Sequence, residues 1–363
     1  MSWRELLKEM CLIPAVSGYE ARLANFLVQA FAPYADEVSI DRVGNVIARI
    51  TGTDPAAPTV MVFAHLDQLG LVVRKITADG FLRVERLGGV PEKVLPGLVV
   101  QILSETGKTV SGVIGVKSHH LTPHEEKYRV LPYQELYIDI GATSSAEVQA
   151  LGIEVGTPVA YEPAFTVLQN GRVAATSLDD RGGCATLVRL AAAAAAQRPA
   201  ATLYLVGTVQ EEFNLRGAQV AAQVLKPDLA IALDVMVAGD TPDLADRLDL
   251  RLGGGPVLGM YSFHGRGTLN GTIPHPALVS LAKQAAAGAG LSLQRNAMVG
   301  LLTDSAYVQL VGAGIPVLDL GFPVRYTHTP VEVCALSDLD GLYRLSWELI
   351  RSLTPGMNLA RRY

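Results

Sequence analysis

The chain of 363 residues is 49% hydrophobic and 18% charged, with a formal net charge of -5. That composition excludes disorder, and with no long run of like charge it argues against nucleic acid as a partner. The three cysteines, Cys11, Cys184 and Cys334, stand far apart and outside any Cys-x-x-Cys spacing, which suggests neither a disulfide framework nor a thiolate metal site and fits a reducing cytoplasm.

Length predicts two domains, or one large domain carrying an insertion. Charges placed among apolar residues at helical spacing predict a helix over 3–13, not a signal peptide, and a second helix follows over 20–34. The segment VSIDRVGNVIARI reads as two strands around a turn at Gly44-Asn45. PTVMVFAHLD is a continuous apolar run of the kind found in a sheet covered on both faces.

From Gly70 to Pro163 the texture changes to short β-rich runs broken by glycine and proline, such as GLVVRKITADGFLRVERLGG and ELYIDIGA. A small barrel-like β domain is expected there, inserted into the α/β one. Residues 1–69 and 164–363 are then the α/β domain and 70–163 the insertion. Within the insertion, SHHLTPHEEKYRVLPYQ is polar and proline-marked, so His119, His120 and His124 are read on a solvated loop.

Helix and strand alternate again after Thr166: a helix over 182–197, the strand ATLYLVGTVQ, a helix over 217–224, the strand LAIALDVM, a helix over 276–287, the strand IPVLDLGF and a closing helix over 336–353. No apolar run is long enough to span a bilayer.

Polar residues stand at the ends of the buried strands, where ligands bind in open α/β sheets. His65 and Asp67 end one strand, Glu211 and Glu212 another, and Asp234 a third; Asp179, Asp180 and Arg181 enter a helix, and His328 lies past the last strand. Each has a bland reading alone: Asp179 as a helix cap, the glutamates as first-turn acids, His65 as a core histidine. Together they converge on one sheet edge, which no bland reading requires.

Such a set suits hydrolysis assisted by two divalent cations roughly 3.5–4 Å apart. A bridging carboxylate, one histidine per metal and one terminal carboxylate per metal use five side chains. A sixth group, a carboxylate, stays free as the general base toward the attacking water. Asp67 is left to orient an imidazole.

The stretches Ala64-His65-Leu66-Asp67-Gln68-Leu69-Gly70, Leu178-Asp179-Asp180-Arg181, Gln210-Glu211-Glu212, Asp234 and His328-Thr329-Pro330, in this order and spacing, resemble the M42 metallo-aminopeptidase family, over nearly the whole chain. The resemblance implies a Zn-peptidase-like mixed sheet flanked by helices, interrupted by a β-barrel-like domain used in oligomerisation, with dimers that build dodecamers. It implies that His65 and Asp234 hold one metal, Glu212 and His328 the other, and that Asp179 bridges them. Glu211 becomes the general base, and Asp67 sets the tautomer of His65. Two zinc or cobalt ions and short peptide substrates are expected.

Two departures from the family pattern stand out: Phe213-Asn214 after the glutamate pair, and Leu301-Leu302 before Thr303-Asp304. Other readings of the same ligands are a dinuclear deacylase or carboxypeptidase, and a glycoside hydrolase. The last needs two carboxyl groups and generally no metal, which leaves His65 and His328 without a task.

Overall fold

In the computed structural model, which describes residues 2–264 and 271–360, the strand Thr59–His65 lies at the centre of a mixed sheet. It pairs in parallel with Thr202–Thr208 on one side and Leu229–Val237 on the other. Its continuous apolar run follows from this position. Val60, Val62 and Ala64 point into one core with Leu205, Ile231 and Leu320, while Met61 and Phe63 point into a second core with Val206, Ala218 and Val308. Alternation carries each residue to a different layer, and both layers are covered by helices.

Leu229–Val237 pairs in turn with Val317–Arg325, completing the parallel centre. Antiparallel strands extend it outward: Val46–Ile50 and Glu37–Ile40 beyond Thr202–Thr208, and Glu332–Ala335, Arg172–Ala175 and Phe165–Val167 beyond Val317–Arg325. Helices Trp3–Cys11, Ala21–Phe31, Leu178–Ala196, Pro276–Gly288 and Leu336–Arg351 contribute to the larger core. Gly217–Leu225 and Ser305–Val308 cover the opposite face.

Six strands from Gly70–Ile76 to Pro158–Tyr161 close into a barrel around Leu71, Val84, Ile102, Ile138 and Val159. The fold class expected from the sequence, an α/β mixed sheet with a small β-barrel, is the one observed. The polar segment with His119, His120 and His124 forms short 3-10 turns whose histidines are exposed.

Some local expectations shift. The strand ending in the glutamate pair stops at Thr208, so Glu211 and Glu212 lie in a loop; Gln210 takes a positive φ of 58°, which breaks the pleat before them. Asp234 sits within its strand, not at its end. The strands Val257–Phe263 and Gln294–Val299 had no clear signal in the sequence. Among the described residues no helix is long and apolar enough to cross a membrane.

Candidate metal centre

His65, the last residue of its strand, turns its imidazole toward the start of helix Leu178–Ala196. Its Nε2 lies 2.9 Å from Asp179 Oδ1 and 4.0 Å from Asp234 Oδ1. On the other side of Asp179, His328 Nε2 lies 3.9 Å from Asp179 Oδ2 and 3.8 Å from Glu212 Oε2. Two groups of residues could each hold a metal ion: His65, Asp179 and Asp234, and Asp179, Glu212 and His328. Asp179 belongs to both.

Each imidazole is turned by its other nitrogen. His65 Nδ1 donates to the main-chain carbonyl of Asp67 at 3.0 Å, while the nearer Asp67 carboxylate oxygen is 3.6 Å away. A carbonyl can only accept, so this contact keeps a proton on Nδ1 and turns Nε2 toward the acids. His328 Nδ1 makes the corresponding contact to Gly89 O at 3.1 Å.

The Asp67 carboxylate spends its lone pairs elsewhere. It accepts Glu211 N–H on Oδ1 at 2.9 Å, and Glu212 N–H at 3.0 Å and the Ser17 hydroxyl at 2.6 Å on Oδ2. Gln210 N–H donates to Glu20 Oε1 at 3.2 Å, so the N-terminal Ser17-Gly18-Tyr19-Glu20 turn clamps the glutamate loop from beneath. Asn214 takes the left-handed conformation at φ 72°, which asparagine tolerates better than most residues. Leu301 bridges to Phe263 and packs against Met236, Leu250 and Val257.

Sequence reasoning missed Glu332. It is buried, and its two oxygens accept Asp179 N–H at 3.0 Å and His328 N–H at 2.9 Å, joining the shared acid to the second histidine. Its one local signal was its place four residues past His328. Asp180, also buried, accepts Gly183 N–H on Oδ1 at 2.9 Å and leaves Oδ2 without a partner.

Charge is the main feature of the site. Burial pushes Glu211, Glu212, Asp234 and Glu332 well above the ordinary carboxylate range, and neighbouring acids push further. Burial opposes a charge on His65, yet the contacts with Asp179 and Asp67 outweigh it and hold the imidazole well above its usual value. Arg181 brings a guanidinium close by, but its donors go to the carbonyls of Met10, Ile13 and Leu66 and to the Gln68 amide oxygen. So many buried acids served by two imidazoles lack positive charge, and divalent cations on nitrogen and oxygen donors fit that deficit.

A sequence profile of the M42 glutamyl aminopeptidase family matches residues 44–345. The chain belongs to the M42 peptidase family. It is 40% identical to SgcX of Escherichia coli over 95% of this chain and 92% of that one. To the lysyl aminopeptidase of Pyrococcus furiosus it is 34% identical, over 97% of each. Among solved structures, an aminopeptidase from the archaeon Desulfurococcus kamchatkensis superposes with a TM-score of 0.91 at 32% identity, covering 97% of this chain and 95% of that one. Membership makes this M42 protein a peptide hydrolase of the aminopeptidase type.

Proposed function

We propose that this chain is a dinuclear metal-dependent aminopeptidase that removes N-terminal residues from short peptides. His65 and Asp234 would hold one divalent ion, Glu212 and His328 the other, and Asp179 both; zinc and cobalt suit such nitrogen and oxygen donors. The observation that carries the reading is that the two candidate ligand groups share Asp179 and that neither includes Glu211. Bound cations would polarise the scissile carbonyl and favour ionisation of water.

Glu211 is the general base: its carboxylate takes the proton of the attacking water and returns it to the leaving amine. Asp67 keeps that carboxylate aimed by holding the Glu211 and Glu212 N–H groups. The Asp67 carbonyl keeps the proton of His65 on Nδ1.

We further read residues 1–69 and 164–363 as the catalytic domain and 70–163 as an inserted β domain serving oligomerisation. A solved TET1 peptidase of Pyrococcus horikoshii assembles into a tetrahedron or a large octahedral shell. At 30% identity over 97% of this chain, it supports a homo-oligomer, and a related TET1 structure that is a dodecamer, at 29% identity, supports a dodecamer as one form; a dimer as the building block is part of our reading. Three buried free cysteines fit a cytoplasmic setting.

The test is release of N-terminal residues from unblocked short peptides beside their N-acetylated counterparts, with and without a chelator. Chelator-sensitive release from the free peptides alone is expected. Cleavage of the acetylated set would move the assignment to a deacylase. Glu211→Gln should retain metal while turnover slows by about 10²–10⁴; loss of metal instead would reverse the roles of Glu211 and Glu212.

A further inference from the structure

The two histidines of the centre are oriented from different parts of the fold. His65 takes its acceptor, Asp67 O, from two residues along its own chain segment. His328 takes its acceptor, Gly89 O, from the barrel, just after the strand Leu82–Leu87. The contact is close enough to constrain the residue type: a Cβ on Gly89 would stand 2.9 Å from His328 Nδ1 and 3.1 Å from Cε1. At Gly88, with φ at +86°, a Cβ would meet Leu69 Cδ2 at 2.4 Å and Glu212 O at 3.1 Å. A Gly-Gly pair lets this barrel loop lie against both residues peculiar to the second ligand group.

A second barrel residue reaches the same place. Tyr161 ends the strand Pro158–Tyr161, and its ring belongs to the barrel core. Its hydroxyl is buried and has no hydrogen-bond partner. It lines a cavity of about 10 Å³ together with Asp179, Glu212, His328 and Glu332. That is space for about one water molecule. Neither His65 nor Asp234 lines it. A buried phenol normally finds a partner, so an unspent donor facing one ligand group and not the other is informative.

We propose that the barrel is the outer shell of the second metal position alone, with the Gly89 carbonyl fixing the Nδ1-protonated tautomer of His328 and the Tyr161 hydroxyl donating to a water in the small cavity beside that position. The barrel then has a task in the hydrolytic centre besides any part in assembly. The first position, His65 with Asp234, is supported from within the α/β sheet and is independent of it. Gly89 and Tyr161 are positioning residues, and the inference rests on the dinuclear reading above.

The test is titration of the metal-free full-length chain with Co²⁺, following the visible d–d absorption, for wild type, Gly89→Ala and Tyr161→Phe, with His65→Ala and His328→Ala as references. Wild type should take up two equivalents. Both barrel variants should bind one of them at least about 10-fold more weakly, the size expected for loss of an outer-shell partner. The band that remains should match that of His328→Ala and not that of His65→Ala. Thermal midpoints of the metal-free chains control for folding: Tyr161→Phe removes only an unpartnered hydroxyl and should leave the midpoint in place, so it decides the matter if Gly89→Ala lowers it.

Two equivalents bound by Tyr161→Phe as tightly as by wild type, or a parallel loss of both, overturns the proposal while the dinuclear reading stands. Fewer than two equivalents in wild type overturns the dinuclear reading, and this one with it.

Discussion

The carboxylate of Asp67 accepts the backbone N–H of Glu211 at 2.9 Å and, on its other oxygen, that of the adjoining Glu212. One acid two residues past the end of a central strand thus holds the loop that presents two others. The arrangement needs an acceptor-only group, because both oxygens face donors and the Ser17 hydroxyl adds a third.

Asp67→Asn is therefore not a gentle change. An amide has one oxygen, and its NH₂ would face an N–H of the glutamate loop. Leaving a buried donor without an acceptor costs about 1–3 kcal/mol. The thermal midpoint should drop, and turnover should slow by about 10-fold or more as Glu211 loses its aim, with KM changed less. Steady-state kinetics beside calorimetry check this, and a midpoint loss with unchanged turnover would rule out the positioning role.

Glu332 makes the parallel case on the metal side. It accepts one N–H from Asp179 and one from His328, so Glu332→Gln disturbs the shared acid and the second histidine at once. Metal affinity should fall by about 10–100-fold. Activity should return at high metal concentration, because no reacting group is lost. Metal content after gel filtration, read with and without added metal, tests it; activity that excess metal cannot restore would point to a direct chemical role.

What could be read from the sequence divides along physical lines. The strand Thr59–His65 was legible because burial on both faces writes a continuous apolar run, and His65 was legible because it is the polar residue that ends it. The barrel was legible through the spacing of its glycines and prolines, since tight turns constrain residue type locally. Glu332 was not, because its meaning depends on Asp179, 153 residues away. Gly89 was hidden for the same reason: any glycine after a strand reads as a turn, and only the fold shows that its missing side chain makes room for His328. The true end of the strand at Thr208 also escaped, since apolar Val209 continues the pattern after the pairing has stopped.

Among the described residues Arg181 is the largest fully buried side chain, and it serves carbonyl oxygens rather than acids. Its fork spans acceptors on the first helix, on the loop after it and on the segment following His65, tying the N-terminal region to the floor of the site. Lysine keeps the charge but is a compact donor that cannot reach them all. Arg181→Lys should cost on the order of 3 kcal/mol, seen as a lower midpoint in denaturant with an unchanged slope. A change below a few tenths of a kcal/mol would mean that these carbonyls find other donors.

Asp319, in the strand Val317–Arg325, gives a pH prediction separate from the metal ligands. It is buried with one oxygen unpartnered, and burial pushes its carboxyl from 3.8 up to about 6, against the opposing effect of the nearby Ser305 and Thr303 hydroxyls. An acid whose pKa is raised on folding favours the folded state only while protonated. Its contribution is present below about pH 4, is lost as pH climbs to about 6 and stays lost above. The neutral isostere in Asp319→Asn escapes this loss. The variant should match wild type near pH 4 and exceed it by roughly 2–3 kcal/mol at pH 8. Urea unfolding of both chains at the two pH values measures the difference; a variant less stable at pH 8 than at pH 4, relative to wild type, would show that the ionised carboxylate has a stabilising partner.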